Sequence, residues 1–221
     1  FELPARFPVL KTGKHKVTIW AGVKKNGIAA TRISYPYFNS ISRDVTLTPD
    51  STTRIGTIYT TYKPEAKFVW REDFEDVGKT LDTVNSSSAW LANTESGSPL
   101  TFEGNHSGIV ALDTTHSYCE FQTHQEYTIP KSAAYLEMNF NTSNSLIVGV
   151  TTYGSVVAYQ TPIITLNTTA GQWKKIYIDL SNTLNAYDGM LTYRVYFRVF
   201  KDTGVDSARV LIDNLKVVTY K

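Results

Sequence analysis

Apolar and polar residues alternate with period two through most of this chain. In residues 135–140 (YLEMNF), Leu136, Met138 and Phe140 interleave with Tyr135, Glu137 and Asn139. The same period recurs at residues 117–123, 146–152, 163–166, 173–180, 193–200 and 209–218. Successive side chains of a strand point to opposite faces, so each stretch predicts a strand with one core-facing side. Residues 209–218 (RVLIDNLKVV) are apolar on both faces and predict a strand inside a sheet. Regular alternation puts Leu211, Asp213, Leu215 and Val217 on one face and Val210, Ile212, Asn214 and Val218 on the other. Asp213 then needs a hydrogen-bond partner, a cation or a proton, because an unpaired buried carboxylate is costly.

The first third is patterned differently. His15, Val17 and Ile19 alternate with Lys16, Thr18 and Trp20, and Val45 with Leu47 marks another short strand. Asn26-Gly27 predicts a turn, and Tyr35-Pro36-Tyr37 an edge or loop, since proline donates no ladder hydrogen bond. Residues 1–67 carry 11 Lys/Arg and 4 Asp/Glu, a net +7, while residues 68–221 carry 11 and 16, a net −5. That reversal predicts a domain boundary near residue 67. Within 68–76, Phe68, Trp70 and Phe74 share one strand face and Asp73 and Glu75 take the other; residues 78–99, polar and Ser-rich, predict a long ordered loop.

Thr, Ser and Tyr are abundant and 3.6-residue periodicity is absent, which predicts an all-β protein. No apolar run approaches the roughly 20 residues of a membrane helix. The chain opens mid-pattern at Phe1, as expected after removal of an upstream segment. Cys119 is the single cysteine and shares a face with Phe121, so it reads as a buried, inert thiol. His116, Glu120 and His124 would share a strand face, but four residues span about 13 Å, too far for one ion. No nucleotide-binding glycine loop, nucleophile elbow or zinc-helix motif is present, and nothing marks a nucleic-acid module. The expectation is a protein that binds and does no chemistry.

Two resemblances refine this. The order "FPVLKTGKHKVTIWAG … VTLTPDST" resembles the transthyretin-like and PEGA-like sandwich modules of bacterial envelope proteins, which present or space other domains. Further on, Phe74-Glu75-Asp76, His106-Ser107-Gly108, Gly171-Gln172-Trp173 leading into Ile176-Tyr177-Ile178-Asp179-Leu180, and Ile212-Asp213-Asn214-Leu215 follow in order. This series resembles the galactose-binding-type jelly roll of carbohydrate-binding modules and MAM-like adhesive domains. The fold class implied is a small Ig/transthyretin-like β-sandwich (1–67, without its first strand) followed by a jelly-roll β-sandwich (68–221). The resemblance also implies a structural calcium held by Glu75 and Asp213, with Asp73 as an extra ligand. The whole arrangement resembles surface lipoproteins of polysaccharide-using Gram-negative bacteria, so a lipidated cysteine upstream of Phe1 is the expected membrane anchor.

Ligand binding has its own residue pattern. Aromatic rings stack on the apolar faces of sugars, while charged groups and amides bind hydroxyls. Arg194, Tyr196 and Arg198 share one face opposite Val195, Phe197 and Val199; Tyr135 and Tyr177 stand among charged and amide neighbours on other strands. Trp90 and Trp173 read as packing or loop anchors. Asn-x-Ser/Thr sequences begin at Asn85, Asn105, Asn141 and Asn167, and Asp-Ser/Thr sequences of a bacterial O-glycosylation type at Asp50, Asp82, Asp113 and Asp206; both suit an exported chain. The resulting expectation is a non-catalytic exported surface protein whose jelly roll binds a glycan. The alternative is an interaction or structural subunit of an outer-membrane complex for secretion, assembly or nutrient uptake, with protein partners.

Overall fold

The computed structural model describes residues 11–28, 30–76, 78–186 and 189–220. Residues 7–10, which open the N-terminal motif, lie outside the described residues. Among the described residues, fifteen strands run in the order β1 (Gly13–Ile19), β2 (Gly22–Lys24), β3 (Arg32–Ser34), β4 (Ile41–Leu47), β5 (Ala66–Glu72), β6 (Leu81–Ser86), β7 (Ala92–Asn93), β8 (Gly108–Leu112), β9 (Tyr118–Thr123), β10 (Ala134–Thr142), β11 (Leu146–Tyr153), β12 (Ala158–Leu166), β13 (Lys174–Asp179), β14 (Thr192–Phe200) and β15 (Ala208–Tyr220). A single turn of helix, α1 (Ser181–Asn185), lies between β13 and β14.

Two antiparallel sheets face each other as a sandwich. One has the order β13-β10-β15-β8-β7, with β5 pairing β15 beyond β8; the other is β12-β11-β14-β9-β6. Leu136, Met138, Ile176 and Ile178 meet Val148, Val150, Val195 and Phe197 in the space between. The Phe121 and Phe197 rings stack there with centroids 5.0 Å apart. Burying each such side chain is worth about 1.5–3 kcal/mol, so this layer dominates the fold's stability. Cys119 lies in it, and burial pushes its thiol up to about 11, away from the reactive thiolate. Residues 78–99 are more regular than their polarity suggests: β6 and β7 form there as sheet-terminal strands, which need little apolar residue content.

The last strand departs from regular alternation. Val210, Ile212, Leu215 and Val217 all face the sandwich core, while Val218 joins a cluster on the outer face. The register against β10 shifts between Glu137 and Asn139, where Asn214 takes a φ of 51°. This is a β-bulge, and one extra residue swaps the faces of everything beyond it. Leu215 and Val217 therefore leave the face expected for Asp213. A second register shift, between Val217 and Val218 against β5, does the same there: Trp70 packs in the sandwich core and Phe68 against the outer cluster.

Residues 11–65 form two two-stranded sheets, β1-β4 and β2-β3. Asn26 and Gly27 both adopt positive φ, 51° and 70°, as the expected turn requires. Among the described residues of this part, Val23, Tyr35 and Tyr37 are buried, together with Tyr135, Val218 and Ala66 of the sandwich sheet. Its core is thus shared with the jelly roll. Tyr35 lies edge-on to Tyr135 at 5.3 Å and close to Tyr177 at 4.8 Å. The Tyr35 hydroxyl donates to Glu137 Oε1 (2.8 Å), and the Tyr62 hydroxyl to Glu137 Oε2 (2.9 Å). Lys175 Nζ stands 3.3 Å from the same carboxylate, which is wholly buried. The turn after β2 closes the outer edge of β13: Asn26 N donates to the Tyr177 carbonyl, Asp179 N donates to Asn26 Oδ1, and Lys25 pairs with Asp179 at 2.5 Å. Capping an edge strand in this way blocks pairing with other chains.

Removing a donor from a buried carboxylate leaves the charge undersatisfied, at a cost of about 1–3 kcal/mol. Tyr35 is 1% exposed and Tyr62 only half-buried, so water can replace the second donor and not the first. Tyr35→Phe should lower the urea unfolding midpoint more than Tyr62→Phe; equal losses would show that water replaces both donors alike, and no loss in either that the Glu137 contact does not hold the N-terminal part in place.

Candidate functional site

The outer face of the five-stranded sheet is assembled from strands far apart in sequence. On β14, Tyr193, Val195, Phe197 and Val199 turn inward, which sends Thr192, Arg194, Tyr196, Arg198 and Phe200 outward. Register then fixes their neighbours. Arg198 pairs with Glu120 and Ile147, Tyr196 with Gln122 and Gly149, and Arg194 with Thr151. Gly149 has a packing reason: a Cβ there would lie 2.5 Å from Cε1 and Cζ of Tyr196. The tyrosine ring lies over the bare glycine and is itself only 1% exposed.

Arg198 and Glu120 form the centre of this face. Arg198 Nε donates to Glu120 Oε2 (2.7 Å), and its Nη2 donates to Gln160 Oε1. Gln160 Nε2 donates to Glu120 Oε1 (2.7 Å), and the Tyr118 hydroxyl to Glu120 Oε2 (2.9 Å). Burial resists ionisation of Glu120, yet the hydrogen bonds from Gln160, Tyr118 and Arg198 outweigh it and hold the carboxyl below its ordinary range. The guanidinium also lies 5.4 Å from the Tyr196 ring centre.

The Gln160–Glu120 contact reveals the shape of the face. These residues sit on β12 and β9, three strands apart in the sheet. On a flat sheet those strands are about 14 Å apart with side chains perpendicular to it. The sheet therefore curls, bringing the first half of β12 over the face. A register shift between Val148 and Gly149 against β12, next to Pro162, supplies the bend. Outward-facing Glu120, Gln122, Thr151 and Tyr196 are buried as a result.

Two polar atoms in this hollow lack partners. Thr151 Oγ1 and Arg194 Nε are buried and make no hydrogen bond among the described residues, and the two residues are register neighbours. Arg194 reaches Glu126 Oε1 only at 3.7 Å, and its guanidinium lies 5.6 Å from the Tyr153 ring centre. At the other end of β14, Tyr118 and Phe200 stack at 4.8 Å, with Phe200 46% exposed.

Arg194, Tyr196 and Arg198 thus share one face, as the alternation suggests. Tyr135 and Tyr177 do not join them. They lie on the opposite sheet, packed under Tyr35 and the rest of the N-terminal cluster, Tyr135 buried and Tyr177 half-buried. Burial raises the pKa of both phenols, Tyr177 beyond the range it would have in water. Alternation marks mixed faces on both sheets and carries no sign of which one the N-terminal part covers. The expected binding residues also omit Thr151, Gln160 and Glu120. Glu120 alternates visibly with Cys119 and Phe121, but Gln160 precedes the apolar run of β12 and no local pattern marks it. Trp173 packs against Phe102 at 5.3 Å, and Trp90 is 65% exposed.

The acidic residues assemble elsewhere. Asp73, Glu75, Glu103, Asp213 and Asn214 line a cleft of about 250 Å³ at the bulge of β15. Asp213 Oδ2 accepts from Ser107 Oγ (2.9 Å) and Glu103 N (3.2 Å), and Oδ1 from Asn214 N (2.7 Å). Glu75 Oε1 accepts from the backbone N of Asn105 (2.8 Å) and His106 (2.9 Å), which lowers its pKa. Asp73 Oδ1 accepts from Glu75 N at 3.3 Å. Asp73, Glu75 and Asp213 therefore face one cleft, each held by protein donors. Among the described residues, no three His, Cys, Asp or Glu side chains stand where they could share a metal ion.

No family model and no curated protein matches this chain. Its fold is similar to those of several solved carbohydrate-binding modules. One is a xylan-binding domain from CBM 22, at 15% identity and TM-score 0.48, covering 71% of this chain and 97% of that one. Another is the CBM22-2 xylan-binding domain from Paenibacillus barcinonensis Xyn10C, at 17% identity and TM-score 0.47, covering 69% and 99%. A family 29 carbohydrate-binding module follows at 12% identity and TM-score 0.41, covering 70% and 88%. These likenesses concern the sandwich and assign no residue a role.

Asp213 sets a pH dependence. Burial pushes its carboxyl up to about 6, above the ~3.9 of an unfolded chain. The folded state then holds the proton more tightly, so this group's contribution is present at pH 4 and lost as pH rises through 6. Asp213→Asn should therefore raise Tm more at pH 7 than at pH 4. Equal shifts at both would show that Asp213 keeps an ordinary carboxyl pKa in the fold. Repeating the melts with calcium tests the metal expectation: an ion held at Asp213 raises Tm at pH 7 in the parent and not in the variant.

Proposed function

We propose that the curled outer face of the five-stranded sheet binds carbohydrate and carries out no reaction on it. The observation that carries this is the adjacent pair of partnerless buried atoms, Thr151 Oγ1 and Arg194 Nε. A buried donor and hydroxyl without partners cost stability, and a sugar hydroxyl, donor and acceptor at once, satisfies both. Around them stand groups that suit sugars: amides and a carboxylate for hydroxyls, Tyr153 and the Tyr118–Phe200 pair for apolar ring faces. The face extends along the nine residues of β14, about 30 Å at strand rise, room for an extended polymer. Binding without catalysis is favoured by Glu120. A glycosidase needs a carboxyl of raised pKa as its acid, whereas this one is held ionised by three partners.

The proposal includes work at the cell surface, where polysaccharide is met; the Asn-x-Ser/Thr sequences suit an exported chain, and labelling intact cells with a membrane-impermeant reagent checks it. A second reading, docking to envelope proteins, is favoured by the N-terminal ribbon. Val17, Ile19, Ile41 and Val45 of β1 and β4 belong to neither buried cluster, and Lys14 and Lys16 are exposed. Copurification with acidic envelope proteins that weakens with salt supports it; a clean monomer in mild detergent overturns it.

Thr151→Val separates folding from binding. Replacing a partnerless hydroxyl by a methyl should leave Tm unchanged or higher. Affinity electrophoresis through gels containing soluble polysaccharides should show several-fold weaker retardation than the parent on the glycan it binds. Unchanged retardation, or retardation by no glycan on a broad panel, would count against the site.

A further inference from the structure

The two guanidiniums of the proposed glycan face suggest at first a site for acidic sugars. Their partners argue otherwise. Arg198 lies 2.7 Å from Glu120, with 6% of that glutamate exposed. Arg194 faces Glu126 at 3.7 Å. A third carboxylate, Asp82, is the register partner of outward-facing Gln122, and His124 Nδ1 lies 2.6 Å from it. The face thus presents two fixed positive charges against three carboxylates. A uronate or sulfate approaching Arg198 would meet Glu120 at nearly the same distance, in a hollow where water screens little.

We infer that this face takes an uncharged glycan, and that Glu120 and Glu126 are specificity-determining residues that turn anionic chains away. The inference rests on the carbohydrate-binding reading above and adds the ligand's charge class. Each glutamate has two effects on one arginine: it orients the guanidinium for hydroxyls and cancels its attraction for anions. Discrimination then comes from a repulsive group as much as from an attractive one.

The experiment compares neutral polysaccharides with their carboxymethylated or sulfated derivatives by affinity electrophoresis, for the parent chain, Glu120→Gln and Glu126→Gln. The parent should be retarded by a neutral polymer, equally at low and high salt, and at least about tenfold less by its charged derivative. Freeing either arginine should raise binding to the charged derivative relative to the neutral one by about tenfold, with a salt dependence that the parent lacks. Derivatisation also blocks hydroxyls, so recovery in the glutamine variants is the decisive readout. Glu126 is exposed, which keeps the test open should Glu120→Gln disturb folding. A parent that prefers the charged derivatives, with binding that falls steeply as salt rises, overturns this inference and leaves carbohydrate binding standing. Variants with unchanged charge preference overturn it too. Absence of retardation by every polymer overturns the parent reading and this inference together.

Discussion

A strand that pairs on both sides along thirteen residues must keep its apolar side chains on one face, and β15 manages this only by breaking its own alternation. Val210 and Ile212 face the core two residues apart; Leu215 and Val217 resume three residues later. The bulge at Asn214, with its left-handed backbone, absorbs the extra residue. Without it, either half of the strand would turn its valines and leucines outward. The bulge also divides the outer face of that sheet. On one side of it lies the acidic cleft around Asp213, and on the other the aromatic cluster around Val218.

The aromatic cluster decides which sheet is free. Tyr35, Tyr37, Phe38 and Tyr62 close over Tyr135 and Tyr177, and the buried Glu137 carboxylate gives the contact a fixed register through two phenol donors and Lys175. A buried charge is stable only when its partners are in place, so this contact favours one docking position over others. The basic N-terminal part thus covers one sheet, and the curled face of the other carries no such cover among the described residues.

That open face trades stability for readiness. Its central network is saturated: Glu120 takes hydrogen bonds from three residues and Arg198 is held between two. About 13 Å along β14, Arg194 and its register neighbour Thr151 on β11 leave buried atoms without partners among the described residues. Rigid, satisfied groups beside partnerless ones suit the proposed glycan site, where a ligand would complete hydrogen bonds without first breaking others.

Much of this protein was legible in the chain itself. Period-two alternation reports which residues of a strand share a face, and that is a local property. It identified the core side of β10 and β14, the shared face of Arg194, Tyr196 and Arg198, and the inert Cys119. Local rules failed wherever one residue was inserted, at Asn214 and near Phe68, since a bulge shifts the alternation without an unambiguous residue signature. They also failed in polar β6 and in the first half of β12, whose strand state depends on neighbours rather than on apolar content. Which faces lie open, that Gln160 reaches Glu120 from three strands away, and that Tyr135 and Tyr177 are covered by Tyr35 were decided by tertiary structure alone. Sheet curvature and long-range packing depend on residues 40 to 102 positions apart, and alternation along a strand carries no information about what comes to rest on it.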